Sequence, residues 1–581
     1  MTTTAEPDEL AAFGYRQELR RTLGSFSAFA AGFSFVSILT TVFQLFGLGY
    51  SFGGTMFFWT WPVVIVGQLF VALNFAELAA RYPLAGSVYQ WAKHLSRGFP
   101  GWLAGWMMLL GCTVALAAAA IALQVVLPSV WSGFQLVGGD PSITSATGAT
   151  NAVLLGSVLI VCTTAANAAG VRVMARINDL GVAAELVGVV VLIVGLALFA
   201  VRGPQVVAAP MSGGAAGAGV LASALMAAYV LYGFDTAASV AEETVDARRS
   251  APRAVLRALL ISGIGGLAVI LVALMAAPSL TDGRLASEGL PYVISAVFGD
   301  ALGRIFLADV AVAVVVCTLT IQTGTIRICY AMARDGVLPG AARLAKVHPR
   351  TGTPVLPALV SGAVAIGLLL LNLGNSTIFS AITGTSVVVV YLSYLLVTLP
   401  LLKSRLRGGF AAQPGLFSLG RWGLPINVAA VLWGLVMIIN IAWPRPEVYD
   451  TAGTGSLWAL LFPLEFLAIA TLVGWLCWRT VGSRTEVGGG GGGAGGGGGG
   501  GGPPPPPPRA RPPPPPPAPG PPPPPPPPPG RGGGAGRRPR APPPPVAFLP
   551  PRGRGRPPPP PPTPRRPRRR TCEHCNHLWS A

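Results

Sequence analysis

The sequence predicts an all-α integral membrane protein with twelve transmembrane helices, and three observations carry that prediction. The 581-residue chain is 51% hydrophobic with only 11% charged residues and a mean hydropathy of +0.58, whereas soluble domains average about 25% charged residues. Apolar runs of about 20 residues, long enough to cross a hydrocarbon core of roughly 30 Å as helices, recur along the chain up to about residue 480. Basic residues between these runs alternate from dense to sparse, as they do when every second loop faces the cytoplasm.

Taken in order, the runs cover residues 24–48, 53–76, 99–127, 151–171, 178–202, 219–243, 254–277, 301–327, 355–374, 377–402, 426–444 and 456–479. With the N-terminus inside, the cytoplasmic segments hold 23 Lys and Arg, among them Arg16, Arg20, Arg21, Arg81, Lys93, Arg327, Arg334 and Arg405. The opposite loops hold four, Arg202, Arg284, Arg304 and Arg445. One span missed or invented in the middle would move every later loop to the other side and destroy that division. Both ends are therefore expected in the cytoplasm. Met1 to Leu10 carries acids and no apolar core, so no cleavable signal peptide is expected and the first span serves as its own membrane signal.

The domain organisation follows: a cytoplasmic N-terminal segment 1–23, a twelve-helix domain 24–480 and a Gly/Pro/Arg-rich tail 481–581. From Gly488 on, 94 residues hold 22 of the 75 Gly, 37 of the 58 Pro and 14 of the 41 Lys and Arg. They contribute +13 of the net charge of +19, so the basic character gives no reason to expect a nucleic-acid partner. Such a composition buries no core and reads as disordered, with polyproline II character. GC-rich codons supply Gly, Pro, Arg and Ala, and the change is abrupt. A frameshifted or misassembled reading frame is the leading explanation, and Arg clusters touching anionic lipid are the functional one. Cys572, His574, Cys575 and His577 are too crowded for an ordinary zinc finger, so no metal is expected.

Polar residues inside the spans point to chemistry. Gly32, Ser34, Ser37 and Thr40 lie in span one, and Gly233-Phe234-Asp235-Thr236 interrupts span six. Their separation suits an inverted repeat of five helices each, whose first helix breaks at mid-membrane. Half-helix N-termini then bind an anionic group and freed carbonyls hold a cation. The competing reading is that Gly and Ser merely let helices pack closely. An acid at a helix centre costs about 2.5–3.5 kcal/mol on insertion scales, which makes Asp235 and Glu185 candidates for proton coupling or gating. Asp309 and Glu465, nearer span ends, read as solvated structural acids.

Four stretches, Phe33–Thr40, Ala76–Trp91, Tyr232–Asp235 with Ala241–Thr244, and Arg327–Pro339, carry a family likeness. Through them the chain resembles permeases of the amino acid-polyamine-organocation superfamily, most closely the amino acid/choline and GABA permease group. The resemblance implies a secondary active transporter of amino acids or related amines in the plasma membrane. It also implies the five-plus-five inverted repeat with broken helices 1 and 6, plus two C-terminal helices. Substrate would bind Ser37, Ile38, Leu39, Thr40, Tyr232, Gly233 and Phe234, with the span-one N–H groups and the Ser37 hydroxyl facing a carboxylate and Tyr232 and Gly233 facing an amine. Glu185 stands where some proton-coupled relatives carry Lys, and the family's Gly-rich span-one signature is absent.

Glu77, Arg81, Arg334 and Asp335 are expected to pair at the inner surface, holding loops or forming a cytoplasmic gate. Thr318, Thr320 and Thr323 could reach a sodium ion or back-bond to their own helix. An enzyme is not expected, because no intramembrane Ser-His pair or metal-ligand cluster exists, and no P-loop suggests ATP-driven transport. The alternative is a membrane sensor or channel without solute accumulation. The expected partners are thus a small amino acid or amine, protons and membrane lipid, with no cofactor.

Overall fold

The computed structural model describes residues 10–208, 216–373, 376–449 and 455–482. The chain divides into two units, residues 1–495 and 496–581, and every described residue belongs to the first. The Gly/Pro/Arg-rich tail and the Cys572–His577 stretch therefore lie outside the described residues.

Among the described residues there is no β-strand, only an isolated parallel bridge between Leu23 and Thr244. Helix is the secondary structure that satisfies every backbone group within one apolar segment. The helices are α1 (Ser25–Val36), α2 (Ile38–Gly53), α3 (Thr60–Arg81), α4 (Ser87–Leu95), α5 (Phe99–Val130), α6 (Ala146–Ala169), α7 (Val171–Leu198), α8 (Ala216–Val230), α9 (Thr236–Ser239), α10 (Ala247–Ala276), α11 (Arg284–Ser287), α12 (Leu290–Arg334), α13 (Ala341–Leu344), α14 (Val355–Leu370), α15 (Ser376–Leu406), α16 (Gly423–Ala442), α17 (Pro446–Tyr449) and α18 (Leu457–Cys477). Among the described residues, nine stretches are long and apolar enough to cross a membrane. One of them, Ser25–Arg81, holds two crossings, and the shorter α8 and α14 complete the twelve spans of a multi-pass membrane protein.

Burial sorts the helices into a core and a shell. The α5 helix is almost wholly enclosed, with an Ala115–Ala122 run that lets α12 and α15 approach it. The α7 helix is one-sided: Leu180, Val187, Val190, Val194 and Leu198 are exposed, while Val182, Glu185, Val189 and Leu192 face inward. A helix with that pattern sits against lipid on one face.

Two boundaries differ from expectation for physical reasons. Span six ends as a regular helix at Val230, well short of 243. Span eight runs unbroken past 327 to Arg334, after a bend at Gly299 (φ 69°). Arg327, expected in a loop, is thus buried in the helix at 1% exposure, where Glu243 accepts from its guanidinium at 3.1 Å through both carboxylate oxygens. A buried charge is tolerated because its counter-charge is buried with it.

Candidate functional site

Both anticipated interruptions are present, and they are built differently. In span one a single residue separates α1 from α2: Ser37, at φ 38° and ψ 100°, occupies the left-handed region without being glycine. Its side chain caps α2 by accepting from the Thr40 N–H at 3.3 Å. Glu185 reaches in from α7, and its Oε1 accepts from the Ser37 hydroxyl at 2.9 Å and from the Leu39 N–H at 3.1 Å. The positive end of α2 is therefore already met by a carboxylate of the protein itself. The other oxygen, Oε2 of Glu185, is buried without a hydrogen-bond partner.

In span six the chain leaves helix after Val230 and resumes only as the short α9. Gly233 takes φ 84°, and a Cβ there would stand 1.9 Å from the Phe35 ring, so both conformation and space demand glycine. Tyr394 of α15 ties the gap together: its hydroxyl accepts from the Gly233 N–H at 2.9 Å and donates to Oδ1 of Asp235 at 2.5 Å. Oδ2 of Asp235 accepts from the Ser87 hydroxyl of α4 at 2.8 Å, and Ser87 lies 2.8 Å from Ser239.

Between the breaks lies a small, partly open cavity of about 70 Å³. Thr40, Thr41 and Gln44 line it from α2, Tyr229, Val230 and Tyr232 from span six, Ala115, Ala118 and Ala119 from α5, and Cys317 and Ile321 from α12. A larger groove of about 1110 Å³ opens to solvent beside Arg20, Arg343 and His348 and borders neither break. The small cavity is the better candidate, because it sits where helix ends expose carbonyls.

The expected substrate residues separate on this geometry. Thr40 and Tyr232 line the cavity. Ser37 and Leu39 turn their polar groups to Glu185 instead of to open space, because an acid on α7 reaches the α2 terminus first. Gly233 bonds to Tyr394, and Phe234, fully buried, packs against Phe75 and Tyr394. Ile38 is buried and is not among the cavity-lining residues. The close-packing reading holds for Gly32, whose Cβ would meet Ala237 and Ala258 at 2.9 Å. Thr320 donates to Asn178 at 2.8 Å, Thr323 to Asn167 at 2.7 Å, and Thr318 back-bonds to Val314 at 2.8 Å. Asp309 is half-buried, and its Oδ2, without a hydrogen-bond partner, lies against Gly188, so it is not the solvated acid expected.

At the basic end of the bundle the four residues expected to pair with one another take other partners. Glu77 pairs with Arg405 and accepts from Ser418 at 2.9 Å. Arg81 donates to the Ala411 carbonyl at 3.2 Å and covers the Phe410 ring. Arg334 makes a two-pronged pair with Glu242 at 2.8 and 2.9 Å. Asp335 accepts from Lys93, Tyr15 and Tyr89 at 2.7–2.8 Å. The reason is tertiary: the N-terminal segment, absent from a reading of spans and loops, inserts here. Leu10 and Leu19 are buried, Tyr15 lies under the Arg334 guanidinium, and Thr22 and Leu23 donate to the Glu243 carbonyl. Burial pulls the Lys93 ammonium toward its neutral form, but Asp335 and Tyr15 outweigh that and leave its pKa above the ordinary lysine value.

Tyr394 and Tyr229 were not singled out from sequence, and Ser87, Glu242 and Glu243 figured only within the stretches that carry the resemblance, with no role assigned. The adjacent acids Glu242-Glu243 next to an apolar run, with two arginines in span eight, were the available signal. Ser87, Tyr229 and Tyr394 left none, since hydroxyls are common in membrane helices.

Residues 23–468 match the model of a family described as amino acid permease. Among relatives, the chain is 30% identical to the amino-acid permease BAT1 of Arabidopsis thaliana over 465 residues, covering 75% of this chain and 87% of that protein. It is 27% identical to the branched-chain amino acid permease BcaP of Bacillus subtilis, covering 75% and 91%. Identity to the GABA-specific permease of Saccharomyces cerevisiae is 24%, covering 77% and 80%.

Proposed function

Because this chain belongs to the amino acid permease family, a family of carriers and not of enzymes, we propose that it is a secondary active transporter moving an amino acid or related amine across the plasma membrane by alternating access. The observation that carries this reading is the cavity between two broken helices, each break held by a buried carboxyl group. The basic end is the cytoplasmic end, and both chain ends of the twelve-helix domain face it.

A zwitterion in this cavity directs its ammonium to the carbonyl ends of α1 and α8 and its carboxylate to the first turn of α2. Glu185 already occupies that turn. Its carboxylate and the substrate's compete for the same N–H groups, and a proton on Glu185 weakens its hold, so that proton and substrate enter together. Asp235 acts at the other break: through Ser87 it links the cavity to α4, and α4 carries Tyr89 and Lys93 into the cytoplasmic network. Arg334, paired with Glu242, and Asp335, paired with Lys93, act as the cytoplasmic gate, while Glu77 and Arg81 anchor the 410–419 loop beside it.

Uptake of labelled amino acids, GABA, choline and polyamines into proteoliposomes, with and without an inward proton gradient, tests the reading. Accumulation driven by the gradient and abolished by an uncoupler is expected, with Glu185→Gln and Asp235→Asn altering the pH profile. Substrate binding without accumulation would make the protein a sensor. Unchanged profiles in both variants would remove the proton-coupling role.

A further inference from the structure

The same cavity also bears on which amino acids it takes, an inference that rests on the transport reading above. Among the described residues that line it, none carries an acidic or basic side chain. The two buried carboxyls nearby are engaged elsewhere, Glu185 behind Ser37 and Leu39, and Asp235 between Tyr394 and Ser87. A substrate bearing a charged side chain, or a polyamine with its second ammonium, would lose water there and find no counter-charge. On one side the wall is methyl groups of Ala115, Ala118 and Ala119.

One lining group is left unpaired. The Tyr229 hydroxyl is buried and makes no hydrogen bond. Beside it on α15 is Gly384, where a Cβ would stand 3.1 Å from the hydroxyl oxygen, so the glycine leaves the hydroxyl room to turn toward a ligand. A buried hydroxyl without a partner is costly, and a ligand that supplies the partner gains what the empty site lacks.

We propose that the cavity selects amino acids with short, uncharged side chains, and that Tyr229 is a specificity-determining residue favouring those that end in a hydroxyl. Threonine and serine fit this chemistry best, alanine and valine less well, and lysine, glutamate and spermidine do not fit it.

The full-length protein, purified in detergent, is tested by thermal shift against these seven compounds, and the same panel competes for uptake in proteoliposomes. Serine and threonine are expected to raise Tm and to compete, whereas lysine, glutamate and spermidine at about tenfold excess over threonine do neither. Tyr229→Phe is expected to weaken threonine by about tenfold while leaving valine within about twofold, since one hydrogen bond is lost. Gly384→Ala, which crowds the same hydroxyl, is expected to reduce the threonine preference in the same direction and serves if Tyr229→Phe does not fold. Lysine, glutamate or spermidine binding as tightly as threonine overturns the proposal. So does an unchanged threonine-to-valine ratio in the variants, or the absence of a shift with every compound. Selective binding without accumulation removes transport and leaves the selectivity standing; accumulation of a charged substrate does the reverse.

Discussion

The two breaks stand in corresponding helices of the two repeats, and each is held by a side chain from the fifth helix of its own repeat. Glu185 of α7 holds the first from 148 residues beyond Ser37. Tyr394 of α15 holds the second from 159 residues beyond Asp235. The repeat is thus visible in a supporting interaction, even though the side chains have nothing in common. At the first break the helper is the acid and the break supplies hydroxyl and amide donors. At the second, the break supplies the acid and the helper is a phenol. The first break is one residue long and confined to the α1–α2–α7 corner, whereas the second is longer and wired through Ser87 toward the basic end. A proton lost or gained at Glu185 bears directly on the α2 terminus; one at Asp235 bears on the α4 network.

Substitutions can break that contrast, beginning with the most damaging. Gly233→Ala places a Cβ 1.9 Å from the Phe35 ring at φ 84°, and strain plus overpacking cost on the order of 3 kcal/mol. Thermal unfolding in detergent should fall sharply and uptake should vanish. Ser37→Gly at the first break should cost less, about 1–2 kcal/mol, because glycine suits the left-handed backbone and substitutes tolerably for a serine cap, while Glu185 loses the Ser37 hydroxyl. Equal damage at both sites would erase the asymmetry drawn above.

Tyr394→Phe strips partners from the Asp235 carboxyl group and the Gly233 N–H together, at about 2–3 kcal/mol, read as a lower unfolding midpoint. Glu185→Gln keeps shape and an acceptor oxygen, so its midpoint should move by less than about 1 kcal/mol. Its uptake should instead lose the part of the pH dependence that Glu185 supplies, a part that Tyr394→Phe retains.

The smallest effect belongs to the basic end. Lys93→Met removes a partly exposed ion pair with Asp335, for which about 0.2–1 kcal/mol is typical. Because the Lys93 pKa is raised in the folded protein, its contribution is complete below the ordinary lysine value of about 10.4 and is lost only as pH climbs through the raised value. The stability difference between parent and Lys93→Met should consequently be flat from about pH 6 to pH 9. A slope in that window would show that another group governs the pairing.

Much of this was readable from residue order alone, and the reason is the solvent. Hydrocarbon demands about 20 apolar residues per crossing and penalises every buried charge, so the spans, and the depth of Glu185 and Asp235, follow from composition without knowledge of neighbours. Partner choice does not. Arg334 meets Glu242 and not Glu77, Glu77 meets Arg405, and Asp335 meets Lys93 and Tyr15. Which acid faces which base depends on helix rotation and on where the N-terminal segment inserts, and neither is encoded by spacing within one helix.

The linear chain determined that there are helices, how many cross, and which two are interrupted, since those are local matters of hydropathy and of Gly and Ser placement. Only the folded bundle decided that Glu185 fills the α2 terminus, that Tyr394 bridges the second gap, and that Tyr229, its buried hydroxyl unpaired among the described residues, borders the cavity. Those are contacts between segments far apart in the chain, fixed by how side chains interlock after the helices have formed.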